Sequence, residues 1–292
     1  MSQRLGIDYA RLSAINERLI YCAITGYGQD GPYRDKVGHD LNYLGYAGVL
    51  EYIGAAGAPP VLAGVQIADI GAGSLLAVAG ILSAVIARAQ TGRGQFVDVA
   101  MLDGAFAWNV YHLLLYQLSG QLPQRGREQL TGHYPCYAIY QTSDDRYLTV
   151  GAFEPHFWAT LCRHFGREDF IASQWAGGEK RDEMFAFLRA AFRRRTLAEW
   201  LHELGDQAIC LGPVNHLDEA LANPQLRHRQ MVVELETAAG RSLAPGIPLK
   251  LSDTPGAIRT PPPGFGEHTD SVLGSLGFGT AEIAQLRAGG VV

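Results

Sequence analysis

The sequence is poor in the patterns that mark metal sites, export and nucleic-acid binding. It has 4 cysteines in 292 residues. Cys22, Cys136, Cys162 and Cys210 lie far apart with no C-x-x-C pair, which argues against a structural zinc site and a small disulfide framework. No metal ligands are therefore assigned, and a reducing, cytoplasmic setting is expected. The 24 Lys and Arg are outnumbered by 29 Asp and Glu, a formal charge of -5, so no nucleic-acid partner is expected. The Arg-rich run Phe192-Arg193-Arg194-Arg195 is too short to track a phosphate backbone and reads as a solvated helix end. Residues 1–9 lack a positive segment followed by an apolar one, so no secretory signal is predicted. The glycines from Gly26 to Gly31 form neither a P-loop nor a G-x-G-x-x-G that opens a helix.

What is present is a large apolar content, 47% against 18% charged, enough to bury a sizeable core and to hold more than one domain. The stretch Ile70 to Ala87 carries no charge and approaches the length of a membrane span. It is expected instead to be a helix packed on all sides inside an α/β protein, with no membrane partner. Asp8 followed by Leu12, Ile15 and Leu19 predicts a helix, and Leu19 to Ile24 a short buried strand. A Gly-rich loop, Thr25 to Tyr33, then leads through Lys36 to Gly38-His39-Asp40, with helix predicted over Leu41 to Leu50 and again from about Gly71 to Gln90. A turn and a strand at Phe96 to Ala100 follow, then a second apolar segment, Met101 to Leu118. The polar stretch from Ser119 reads as a linker. Beyond it, strands are predicted around a Ser143-Asp144-Asp145-Arg146 turn, with amphipathic helices through Ala222. Met231 to Leu251 reads as a hairpin around Ala239-Gly240-Arg241, and a short helix is expected near Ala281 to Leu286.

Three ionisable residues occupy suggestive places. His39 lies in a loop beside a glycine, where imidazole can titrate near neutrality, although a loop histidine is more often a surface group. Asp69 precedes Gly71, Gly73 and a helix, which a capping residue would also do. Glu154 comes before Pro155, the pattern of a residue flanking a helix whose first position is proline. Residue type and spacing stop at an α/β enzyme with these three as candidates.

Several ordered stretches together resemble the class III CoA-transferase family, which includes the carnitine dehydratase and bile-acid-inducible type and the 2-methylacyl-CoA racemases. They are Asn16 to Tyr21, Ile24 to Pro32, Gly38-His39-Asp40-Leu41-Asn42-Tyr43, Ala68-Asp69-Ile70-Gly71 and Thr91-Gly92-Arg93-Gly94-Gln95. Gly151-Ala152-Phe153-Glu154-Pro155, Leu251 to Gly256 and Gly266 to Asp270 complete the set.

The resemblance implies an α/β fold: a Rossmann-like large domain over 1–118, a linker at 119–133 and a smaller α+β domain over 134–224. A second linker and a return to the large domain would occupy 225–292, in an interlocked homodimer. It implies Asp69 as the shared catalytic carboxylate, with His39 and Glu154 completing the racemase-type set, and an acyl-CoA substrate with no cofactor beyond its CoA moiety. Arg4, Lys36 and Gly38 fall at CoA-contacting positions. Racemisation at C2 through an enolate is the reading the trio favours. Transfer of CoA between carboxylic acids through an aspartyl-CoA intermediate at Asp69 is the alternative, and a catalytically impaired CoA-binding subunit the third reading. Family members ordinarily carry a βαβ portion before the segment matching Arg4-Leu5-Gly6, so the large domain is expected to be N-terminally incomplete, with apolar surface left bare.

Overall fold

The two apolar stretches on either side of the Gly-rich loop and the long apolar helix become neighbours. Strands β1 (Tyr21–Thr25) and β2 (Phe96–Ala100) pair in parallel, Tyr21 opposite Phe96 and Thr25 opposite Ala100. This computed structural model describes residues 2–237 and 240–292, and the chain divides into two units, Met1–Val214 and Asn215–Val292. The architecture is mixed α/β, as expected.

Parallel pairing requires a long crossover. Here it holds the Asp40–Ala47 helix, a 3-10 turn at Val49–Tyr52, a π-helical segment at Ile67–Ser74 and the Leu75–Thr91 helix. That last helix was expected to be enclosed on all sides, and it is not. Its small residues meet the sheet: a Cβ on Gly80 would fall 2.7 Å from Val97 Cγ1, and Ala77 and Ala84 are buried. Its large residues do not, since Val78, Leu82 and Ile86 are 53%, 57% and 64% exposed. A two-stranded sheet covers only one side of a helix, so the run's uniform apolarity exceeds what this chain can bury. The segment Ile67–Thr91 is long and apolar enough to cross a membrane.

The apolar segment after β2 breaks into two helices, Met101–Ala107 and Val110–Ser119. The interruption has a polar cause. Asn109 is buried and its amide Nδ2 donates to Ala47 O at 2.6 Å, tying the break to the end of the Asp40–Ala47 helix.

The turn between the Leu75–Thr91 helix and β2 shows why Gly94 is glycine. Its N–H donates to Glu17 O at 2.9 Å, and a Cβ would sit 1.9 Å from Leu19 O and 2.3 Å from Leu19 C. Both obstacles are backbone, so neither can rotate away. Gly94→Ala is expected to lower unfolding free energy by more than about 3 kcal/mol, measured by chemical denaturation, and an unchanged midpoint would contradict this packing.

The same unit contains an antiparallel sheet in the order β3 (Tyr137–Gln141), β4 (Tyr147–Gly151), β5 (Leu211–Pro213). The turn between β3 and β4 lies where the Ser-Asp-Asp-Arg sequence places it, with Asp145 at φ 56°. Tyr140, Leu148 and Val150 face inward onto Trp158, Phe192 and Trp200. The two buried indoles are satisfied, Trp158 donating to Phe170 O at 3.0 Å and Trp200 to Phe192 O at 2.8 Å, as buried tryptophan requires. The Gly178–Phe192 helix ends at the Arg-rich run, whose arginines are exposed.

In the second unit, β6 (Val232–Thr237) and β7 (Gly240–Pro245) form the expected hairpin; Ala239 of its predicted tip lies outside the described residues. Helices Thr269–Ser275 and Thr280–Ala288 are joined by an Arg287–Asp270 ion pair of 2.6 Å. The second of these contains the predicted Ala281 to Leu286 helix.

Candidate active site

The backbone of the loop after β1 is held by side chains and by the chain that follows β2. Thr25 Oγ1 accepts from Gly28 N at 3.0 Å, Asp98 Oδ2 accepts from Gln29 N at 3.1 Å, and Gly26 O accepts from Leu102 N at 3.0 Å. Tyr27 turns inward and packs edge-on to Tyr43 at 5.2 Å and to Tyr46 at 5.9 Å. Gly26 and Gly38 are the two positions where this tyrosine cluster leaves no room. A Cβ on Gly26 would meet the Tyr43 ring at 2.6 Å, and one on Gly38 the Tyr27 hydroxyl at 2.6 Å. The Tyr43 hydroxyl donates to Gly38 O at 2.6 Å. Burial first, then the nearby Tyr27, Asp69 and Asp40, push the Tyr43 phenol above its ordinary range, which keeps that donor protonated. Gly38, assigned by resemblance to CoA contact, thus has a packing role in this chain.

His39 follows as the residue capping the Asp40–Ala47 helix, its N–H donating to Asn42 Oδ1 at 3.0 Å. The side chain is exposed. The third residue of the motif makes the connection that matters. Asp40 Oδ1 accepts from Ala68 N at 2.6 Å and from Asp69 N at 3.0 Å. One carboxylate oxygen therefore binds the head of the turn that carries Asp69 to the residue following His39.

Asp69 is half-buried and sits in the π-helical segment, beyond its capping residue Gln66. It does not cap the helix; the Asp40 carboxylate does that work from outside. The N–H groups of Ala68 and Asp69 are consequently occupied by that carboxylate. Ser74 Oγ donates to Asp69 O at 3.0 Å, one of the side-chain bonds that accompany the wide turn. Such π-helical turns recur at functional sites because they shift one side chain out of helical register. Gly73 packs toward Met101 Cγ, where a Cβ would come to 3.0 Å, so this glycine serves helix packing.

Glu154 lies elsewhere in the unit, at the corner after β4. It precedes Pro155 at the head of the Pro155–His164 helix, and its carbonyl accepts from Phe157 N and Trp158 N at 3.1 and 3.2 Å. Gln174 fixes the corner by donating to Ala152 O and Phe153 O at 3.2 and 2.7 Å. The side chain of Glu154 is exposed. Among the described residues no hydrogen bond or ion pair joins it to His39 or Asp69. The chain brings the turns of His39 and Asp69 together through Asp40, and leaves Glu154 apart.

Of the cations assigned to CoA, Arg4 is exposed in a four-residue helix, Ser2–Leu5. Lys36 is exposed but positioned: its ammonium lies 4.6 Å from the Tyr33 ring centroid and 4.4 Å from that of Tyr46, and it donates to the Tyr46 hydroxyl. That bond holds Lys36 above its ordinary range. Sequence reasoning passed over Asp40, Tyr27 and Tyr43. Asp40 was visible inside the Gly-His-Asp motif, but nothing in the sequence links it to residues 68 and 69.

A cavity of about 1020 Å³ opens away from these groups, lined by neither His39, Asp69 nor Glu154. Cavity size and the motif-bearing residues thus point to different places, and the chemistry belongs with the residues that can perform it.

Comparison with known proteins agrees with the motif reading. The chain is 32% identical over 300 residues to an acyl-CoA transferase of Fusarium pseudograminearum (strain CS3096), covering 99% of this chain and 65% of that protein. It is 33% identical over 297 residues to the alpha-methylacyl-CoA racemase of Mus musculus, covering 99% of this chain and 76% of the relative. The crystal structure of a CAIB/BAIF family protein from Brucella suis superposes with a TM-score of 0.78 at 29% identity, covering 94% of this chain and 72% of that one. The chain thus spans about two thirds to three quarters of the length of these proteins. The profile of CoA-transferase family III matches residues 1–269, and the chain belongs to that family.

Proposed function

We propose that the chain acts on 2-methylacyl-CoA thioesters as a racemase, moving a proton between the two faces of the α-carbon. The observation that carries this reading is the Asp40 clasp, which sets the turn of Asp69 beside the helix start of His39. A thioester acidifies its α-carbon only modestly, so inversion needs a base on one face and an acid on the other. Asp69 carboxylate takes the α-proton, leaving an enolate thioester, and the His39 imidazolium returns a proton to the opposite face. For the other enantiomer the two exchange roles. The acyl-CoA is the substrate, and the exposed Lys36 ammonium offers a point charge to its phosphates.

In deuterium oxide, a single enantiomer of a 2-methylacyl-CoA is expected to gain deuterium at C2 with no acceptor acid present, followed by mass spectrometry. The similarity to an acyl-CoA transferase supports a second reading, in which Asp69 attacks the thioester, expels CoA thiolate and forms a mixed anhydride. Capture of an Asp69 adduct by hydroxylamine or borohydride, with no deuterium uptake, would favour that reading over the first.

We also propose that Glu154 reaches His39 from a second copy of the chain, where its carboxylate orients the imidazole and stabilises the imidazolium. Its exposure at a fixed corner supports this, as does the bare apolar side of the Leu75–Thr91 helix. Mixing His39→Ala and Glu154→Ala chains under subunit exchange is expected to restore roughly a quarter of native activity, because half the dimers are mixed and each mixed dimer regains one intact site. Sites built within one chain would recover none.

A further inference from the structure

His39 can return a proton only from where its main chain puts it, and that main chain is held by two neighbouring residues of the helix that follows. The N–H of His39 donates to Asn42 Oδ1 at 3.0 Å, and the carbonyl of Gly38, across the same peptide bond, accepts from the Tyr43 hydroxyl at 2.6 Å. The carbonyl of His39 accepts from the N–H groups of Asn42 and Tyr43 at 2.8 and 3.2 Å. Every main-chain polar atom from Gly38 O to His39 O is thus taken by residue 42 or 43.

The two backbone bonds would form at any helix start. The two side-chain bonds need an acceptor at position 42 and a long hydroxyl donor at position 43. Tyr43 is a firm anchor for this purpose, since it is buried in one cluster with Leu44, Ala68 and Ala72, edge-on to Tyr27. Gly38 has no slack behind it, because a Cβ there would meet Tyr27 Oη at 2.6 Å and Tyr43 Cε1 at 3.0 Å. The Tyr27 hydroxyl is buried without a hydrogen-bond partner among the described residues, so it limits Gly38 by contact alone. His39 itself is exposed. Its direction is therefore set by this clamped main chain more than by packing around the ring. Asp69 is held by another route, through Asp40, and among the described residues neither the Asn42 nor the Tyr43 side chain hydrogen-bonds to its turn.

We infer that Asn42 and Tyr43 are positioning residues for His39: they hold the imidazole at one face of the α-carbon and serve the proton that His39 carries, not the one that Asp69 carries. This rests on the racemase reading.

The two enantiomers of a 2-methylacyl-CoA, followed separately for deuterium at C2 and for inversion, test it. Tyr43→Phe, which keeps the ring, and Asn42→Ala are each expected to slow inversion at least about tenfold, as a misplaced group does. Wash-in should fall equally far for the enantiomer whose α-proton faces His39. For the one that faces Asp69 it should fall less than about twofold, because the carboxylate still takes that proton and, after exchange with solvent, returns deuterium to the same face. Asn42→Asp keeps an acceptor oxygen and should recover inversion. In a His39→Ala chain, adding Tyr43→Phe should change the remaining wash-in by less than about twofold, since both substitutions act through one residue. Circular dichroism verifies that each variant is folded. Equal wash-in losses for both enantiomers would overturn the inference, as would a further loss in the His39→Ala chain or native inversion in either variant. No wash-in from either enantiomer by the native chain would overturn the racemase reading itself, and this inference with it.

Discussion

Asp69→Asn is expected to reduce turnover by at least about 10³-fold, within the range attributed to a positioned acid–base group. The loss should extend to both chemistries, because α-proton removal needs the carboxylate as base and CoA transfer needs it as nucleophile. The substitution should cost little stability. The contact that fixes this turn runs from the backbone N–H of Asp69 to Asp40, and asparagine keeps that N–H. Steady-state kinetics with thermal unfolding separates the two effects: a folded, inactive variant is the expected result. Retention of more than about a tenth of native activity would remove Asp69 from the reaction, since that loss is smaller than a single acid–base group contributes.

Asp40→Ala should affect stability and activity together. It leaves two backbone N–H groups, those of Ala68 and Asp69, without the carboxylate that accepts them. Each bond to a charged acceptor contributes about 1.5 kcal/mol or more, so the expected cost is about 3 kcal/mol. In a chain of this size that corresponds to a fall in Tm of roughly 5 °C. The released turn also moves Asp69 relative to His39, so kcat should fall further than the unfolded fraction explains. Asp40→Asn keeps an acceptor oxygen at the same position and should recover part of both losses. Asp40 is thus a positioning residue, and recovery by asparagine is the readout that a purely packing role would not produce. Native Tm and native kcat in Asp40→Ala would show that the clasp has no functional weight.

These expectations depend on contacts of unequal visibility in the sequence. The Asp8 helix, β2 and the hairpin turn at residues 143–146 follow from local patterning, because each is fixed by alternation, capping or turn chemistry within a few residues; β1 forms as a strand but without the burial expected of it, since Ile24 is 48% exposed. The apolar run at Ile70 to Ala87 was legible as a helix but not as a half-bare one. Apolarity reports what a surface prefers to touch, and only the arrangement of strands determines what reaches it. The break at Asn109 was illegible for a similar reason, since its partner Ala47 is 62 residues away.

The candidate site divides along the same line. Motif order pointed to His39, Asp69 and Glu154, and the family follows from those ordered motifs together with the match over residues 1–269. Sequence also explained Glu154 locally, because Pro155 after it is a helix start wherever the helix lies. For Asp69 local reasoning left a helix cap open beside the catalytic role, and the structure gives that capping to Asp40, 28 and 29 residues from the N–H groups it accepts.

By itself the sequence determined the family, the mixed α/β class and the identity of the ionisable groups, since motif order and periodicity are properties of the chain's own spacing. Tertiary structure decided which of those groups adjoin. It placed the turns of His39 and Asp69 side by side through one carboxylate, left Glu154 without a bond to either, and gave Gly38 and Gly94 steric reasons. Each of these depends on backbone approach between segments distant in sequence, where neither propensity nor periodicity carries information.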